Sequence, residues 1–150
     1  MTSKIYKAAV AAATAVLLLN TAFAHEAGAL PAVHKSGQVE YLSGGIGGDE
    51  AKAIESASRQ WPLTLEFAVK DKQKAEFVAD VKVMLRDAEG HTALKAIADG
   101  PFLLARVQPG RYTVDVTFAG KTLHDKVFVK AGQPAKRLVE WPAGTGESHS

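Results

Sequence analysis

The sequence predicts a mainly-β fold: a two-layer antiparallel Greek-key sandwich of about seven strands preceded by one short amphipathic helix. Three observations carry that expectation. From Leu63 to Trp141 apolar residues recur at every second position. Turns rich in Gly, Pro and Asp break these runs at intervals of roughly ten residues, the spacing of a sandwich. A 3.6-residue period stands just upstream, between Asp49 and Trp61.

Residues 1–24 read as a signal peptide. Lys4 and Lys7 precede an uncharged run from Ala8 to Leu19, and Ala22-Phe23-Ala24 has the small-x-small form of a cleavage site, so cutting is expected after Ala24. The apolar run is shorter than the roughly 20 residues that span a bilayer. No Arg pair precedes it, which favours the general secretory route. The chain has no cysteine, so the exported domain is held by its core without disulfides. The expected address is the periplasm, with no membrane span after processing. Cleavage removes Lys4 and Lys7 and no acid, taking the formal charge from +2 to zero. Charges alternate along the remaining chain without a basic block, which argues against a nucleic-acid partner.

Residues 25–48 read as a flexible glycine-rich leader in which Val39–Leu42 is a brief strand candidate and Ser43-Gly44-Gly45-Ile46-Gly47-Gly48 a hinge. Residues 49–61 read as the helix. Asp49 is its expected cap, Glu50 suits its first turn, and Ala53, Ile54 and Ala57 share one face. Pro62 ends it, because the residue before a proline avoids helical angles. The sandwich is expected over 62–142. Leu63, Leu65, Phe67 and Val69 form its first strand and Asp71–Glu76 a charged connection. Ala79, Val81, Val83 and Leu85 follow, then the turn Asp87-Ala88-Glu89-Gly90, then Thr92–Ala98 and Phe102–Val107. Tyr112, Val114, Val116 and Phe118 alternate against Arg111, Thr113, Asp115 and Thr117, Ala119-Gly120 turns the chain, and Lys121–Val129 and Lys136–Trp141 complete the set. Residues 143–150 read as a disordered tail.

The stretch Ala79–Trp141 resembles the carboxypeptidase regulatory-like domain, as found in small bacterial periplasmic proteins. The resemblance is carried by Ala79-Asp80-Val81-Lys82-Val83, the turn Asp87–Gly90, the run Leu103–Val107 before Pro109-Gly110-Arg111-Tyr112-Thr113-Val114, the hairpin Phe118–Lys121, and Val127-Phe128-Val129. It implies a transthyretin-like, prealbumin-type or immunoglobulin-like sandwich of seven strands. Ala98-Asp99-Gly100-Pro101 stands where the pattern has threonine and glycine, and no His-x-x-Glu zinc pair is present, so the resemblance implies no peptidase activity. Related purine-pathway hydrolases end in Tyr-Arg-Gly-Ser, whereas this chain ends Gly146-Glu147-Ser148-His149-Ser150.

One feature points to a specific chemistry. Cleavage after Ala24 makes His25 the N-terminus, whose amine and imidazole suit copper, with His34, His91 or His124 as a further ligand; the metal set read from the sequence is His25, His34 and His124. For catalysis, Asp80, Asp87, Asp99 and Asp115 fall at turns or outward strand positions, and Ser43, Ser56 and Ser58 have no neighbouring histidine. Trp61 and Trp141 are expected to close the two ends of the core. Phe128, on the polar side of its strand, is expected under the helix. The sequence therefore points to a non-catalytic exported binding or scaffold module for a protein or cell-envelope component, needing no cofactor. The alternative is a periplasmic copper-binding protein using His25.

Overall fold

The structure, a computed structural model, describes residues 29–147; the expected signal peptide, the Ala24 cleavage site and His25 lie outside the described residues. The chain forms β1 (His34–Ser36), β2 (Val39–Gly44), α1 (Gly48–Ser58), β3 (Leu63–Lys70), β4 (Ala75–Phe77), β5 (Val81–Arg86), β6 (Thr92–Ala98), β7 (Phe102–Ala105), β8 (Gly110–Phe118), β9 (Lys121–Val129) and β10 (Ala135–Trp141). They make two stacked sheets, one ordered β1-β2-β7-β3-β10 and the other β6-β5-β8-β9. In the first sheet β7 pairs with Leu63–Glu66 and β4 with Ala68–Lys70, while β10 pairs with Leu63–Val69. β7 and β4 therefore lie end to end along one edge of β3, and β10 takes the other.

The two-residue period becomes the core. Leu63, Leu65, Phe67 and Val69 point inward from the first sheet to meet Val81, Val83, Leu85, Val114 and Val116 from the second. Each such side chain withdrawn from water contributes about 1.5–3 kcal/mol before chain entropy is counted. Trp141 is fully buried against Phe67 and Phe118, and its indole N–H donates to the Lys121 carbonyl at 2.9 Å. Trp61 is also buried, with the Arg106 guanidinium 4.0 Å from the centre of its ring. Both tryptophans are buried as expected, but only Trp141 belongs to the core between the sheets; Trp61 lies in the smaller cluster under the helix.

The two sheets are fastened at both sides. Ser36 Oγ donates to the Lys95 carbonyl and accepts from the Lys95 N–H, joining β1 to β6. Arg137 grips Asp125, joining β10 to β9. The Ser36 clip occupies the N–H and C=O of Lys95 on the β6 edge, which would otherwise be offered to another chain.

The helix lies on the outer face of the first sheet. Ile54, Ala51 and Ala57 pack on Leu42, Phe102, Leu104 and Trp61 as a second, smaller core. Its N-cap is Gly47 rather than Asp49, and no side chain caps it. The Glu50 carboxylate instead accepts from the Gly45 N–H at 2.7 Å. The contact face uses Ala51 where Ala53 was expected.

Several boundaries differ from the sequence reading, each for a packing reason. Within the expected 25–48 leader, the described residues from 29 on are not a free segment: β1 and β2 precede the helix, and Leu42 and Ser43 are buried because β2 is an inner strand paired to β7. The glycine run is a packed corner rather than a hinge. A Cβ on Gly45 would come within 2.5 Å of Phe102, and one on Gly100 within 2.3 Å of the Gly44 carbonyl oxygen. The helix ends at Ser58, three residues short of Trp61, which turns under it. The connection 71–76 is partly strand, because β4 finds the edge of β3 that β7 leaves open. β10 runs parallel to β3, so the sandwich of ten strands is not wholly antiparallel. In the expected tail, residues 143–146 form turns, and Gly146 sits against Phe118 so closely that a Cβ would meet its ring at 2.9 Å.

Candidate functional site

Strand alternation decides what the second sheet shows to solvent. With the valines and leucines of β5 and β8 turned inward, the intervening residues must face out, and the register aligns them in rows across the strands. One row runs Ile97, Lys82, Thr117, Thr122; the next Lys95, Met84, Asp115, His124. Arg86, Thr113 and Lys126 form a third, and Arg111 with Phe128 a fourth. Five cations, Lys82, Arg86, Lys95, Arg111 and Lys126, thus share this face with one carboxylate, Asp115.

That carboxylate is already engaged. Its oxygens take His124 Nδ1 at 2.5 Å and Arg86 Nη1 at 3.3 Å, and the side chain is 17% exposed. Among the described residues no carboxylate oxygen lies within 4.0 Å of the charged groups of Lys82, Lys95, Arg111 or Lys126. Strands stand about 4.8 Å apart, so these charges reinforce one another within a screening length of about 8 Å at physiological salt.

Apolar side chains stand among the cations. Ile97 is 55% exposed on β6 and Phe128 52% exposed on β9. Met84 lies between them in a concavity of about 580 Å³ bordered by Lys82, Arg86, Lys95 and Asp115. Arg111 and Lys130 approach the Phe128 ring, at 5.9 and 5.6 Å from its centre. The expectation that the helix covers Phe128 is overturned, because α1 packs on the other sheet. Asp115, read from the sequence as an ordinary solvated residue, is the anchor of the Arg86 and His124 side chains.

His34 and His124 do not converge. His34 lies on β1 of the first sheet with its ring 5.6 Å from that of Tyr41, while His124 is on β9 bonded to Asp115. β1 neighbours β6, and β9 is three strands away from β6, or about 14 Å at the usual spacing. The expected copper set of His25, His34 and His124 is therefore not assembled by the described residues, and His25 lies outside them. His91 meets Asp87 and Glu89 instead, with ligand atoms within 4.8 Å of one another. The Asp87 carboxylate there accepts the N–H groups of Glu89 and His91, closing the β5–β6 turn.

The cationic face escapes a linear reading because its charges sit at alternate positions of four strands. Lys82-x-Met84-x-Arg86, Lys95-x-Ile97 and Lys126-x-Phe128 show it only when the outward positions are read by themselves. No protein-family model matches the chain, and no curated protein is significantly similar to it.

Proposed function

We propose that this chain is a non-catalytic binding or scaffold module, exported to the periplasm, that contacts a protein or cell-envelope component through the outer face of the β6-β5-β8-β9 sheet. The observation that carries the reading is the unequal covering of the two sheets. The helix seals the outer face of β2 and β7 with Leu42, Phe102 and Leu104, whereas the opposite face carries exposed Ile97 and Phe128 and the cations Lys82, Lys95, Arg111 and Lys126, which have no carboxylate partner among the described residues. Exposed apolar side chains clustered with charges of one sign are the composition of an interaction surface.

A non-catalytic role fits the chemistry of that face. The Asp115–His124 pair has the form of an oriented base, yet the hydroxyls in the adjoining row, Thr117 and Thr122, are bonded to each other at 2.7 Å. Kinship with the carboxypeptidase regulatory-like domain belongs to the same proposal, and the two-sheet architecture supports it.

The test is a photo-crosslinking residue placed at Met84 in intact cells, compared with one at Leu138 on the outer face of the first sheet. Reproducible products from position 84 and none from 138 are expected; equal yields, or none from either, would sink the reading. Mass measurement of the mature protein from the periplasmic fraction is expected to show His25 at its N-terminus.

A further inference from the structure

Resting on that reading of the face, we infer that its occupant is an anionic lipid surface, which the sheet meets broadside as a peripheral contact. The first ground is shape. The outward cations are spread over four strands, about 14 Å from β6 to β9, rather than in a line. An extended acidic peptide lying in the concavity beside Met84 would engage Lys82, Arg86 and Lys95 and leave Arg111, Lys126 and Phe128 beyond its reach. A planar array of phosphates meets all of them together.

The second ground is the placing of apolar groups. Ile97 stands at one lateral margin, Phe128 at the other and Met84 between, each flanked by cations. Exposed apolar side chains set among Lys and Arg, here Ile97 and Phe128 with Met84 lining the hollow between them, are what an interfacial element presents to headgroups and acyl chains. The third ground is where the acids lie. Asp115 is matched by Arg86, and the remaining carboxylates near this sheet sit at strand ends: Asp80 and Asp99 at one rim, Asp87 and Glu89 at the other. Asp125, on the same strand as His124, points to the opposite side and is held by Arg137.

Each Lys or Arg close to an anionic bilayer raises partitioning roughly fivefold, and the gain decays within a screening length. The processed chain is therefore expected to float with vesicles of equal parts phosphatidylglycerol and phosphatidylcholine at low salt, and not with phosphatidylcholine alone. Raising the salt to about 0.5 M is expected to release it, because the Debye length then falls well below 10 Å. The double variant Lys82→Glu/Lys126→Glu should lose at least 25-fold in vesicle affinity, by the roughly fivefold factor per charge. Phe128→Ala should weaken binding severalfold with an unchanged melting curve, and Lys52→Glu on the helix should leave it unchanged.

Equal binding to neutral vesicles, no binding at low salt, or the same loss from Lys52→Glu as from the double variant would overturn the inference. A poly-glutamate peptide separates the two levels of the proposal. If the peptide binds in a Lys82- and Lys126-dependent way while vesicles do not, the lipid inference fails and the binding face stands. If neither probe binds and position 84 gives no crosslinks, both fail.

Discussion

Arg137 on β10 holds Asp125 on β9 by a two-pronged contact, Nε to Oδ2 at 2.7 Å and Nη2 to Oδ1 at 2.8 Å, across the boundary between the two sheets. The Arg137 hydrogen bond holds the Asp125 carboxyl below its ordinary value of 3.8, against the opposing effect of partial burial. Because the folded-state value is lowered, the pair's contribution is fully present above 3.8 and is lost as pH falls through the lower folded value. Arg137 is half exposed, which limits the contribution to about 0.5–1 kcal/mol. Arg137→Ala is expected to lower Tm by a few degrees at pH 7 and to match the parent protein near pH 2. A difference that persists undiminished in acid would show that Arg137 stabilises by packing rather than by charge.

Tyr112 supports the turn before its own strand. Its hydroxyl donates to the Gln108 carbonyl at 2.6 Å, four residues back, while its side chain belongs to the core on the same face as its strand partner Val127. Tyr112→Phe is expected to cost about 0.5–1.5 kcal/mol, the net worth of one hydrogen bond. Burial, and secondarily the negative charge of Asp87, push the phenol above 10.0. A raised value means that the folded chain keeps this proton longer than the unfolded one. The stability it confers is intact below pH 10.0 and falls away as pH rises through the higher folded value. Denaturant titrations should therefore show the parent losing stability above pH 10 more steeply than Tyr112→Phe; parallel curves would sink the assignment.

Thr92–Ala98, Tyr112–Phe118 and Lys121–Val129 were legible because a strand buried on one face only must alternate, and Leu63–Val69 alternates in sequence although the structure buries both of its faces. The turn at Ala119-Gly120 was legible too, and both residues adopt the positive φ of a tight hairpin, 48° and 76°. β1 and β4 were not, because three residues carry no period and their existence depends on a partner edge far away in sequence. The parallel pairing of β10 with β3 was also hidden: a strand's alternation is the same whichever direction its neighbour runs. For the candidate site, the character of each residue was visible but its company was not. Asp115 and His124 face each other across the β8–β9 hairpin, and Arg86, far away in sequence, meets them because the β5–β8 register sets it in the adjoining row.

The glycine corner yields a sharp contrast. Gly100 has an ordinary φ, yet a Cβ there would overlap the backbone of Gly44, which cannot yield without moving β2 from β7. Gly37, in the β1–β2 turn, has open space around it and a φ of 58°. Gly100→Ala is expected to cost about 1–3 kcal/mol by overpacking. Gly37→Ala should cost about 1 kcal/mol from backbone strain, and Gly37→Asn less, since asparagine tolerates that conformation. Matching chemical-denaturation midpoints for Gly100→Ala and the parent would refute the close approach.

Thr64 offers the opposite sign. It faces outward from β3, between Leu104 on β7 and Lys136 on β10, yet it is 2% exposed. Among the described residues its hydroxyl oxygen has no hydrogen-bond partner. Burying a hydroxyl without compensation costs about 1–3 kcal/mol, whereas the methyl of valine in the same space costs nothing in desolvation. Valine also favours the strand conformation at least as well as threonine. Thr64→Val is therefore expected to stabilise the fold by about 1 kcal/mol, seen as a higher urea midpoint with an unchanged slope. A lower midpoint would mean that an internal water serves the hydroxyl and that the position is polar by design. Because Thr64 lies on the sheet opposite the cationic face, the same variant should bind vesicles as the parent does, which separates stability from binding in a single protein.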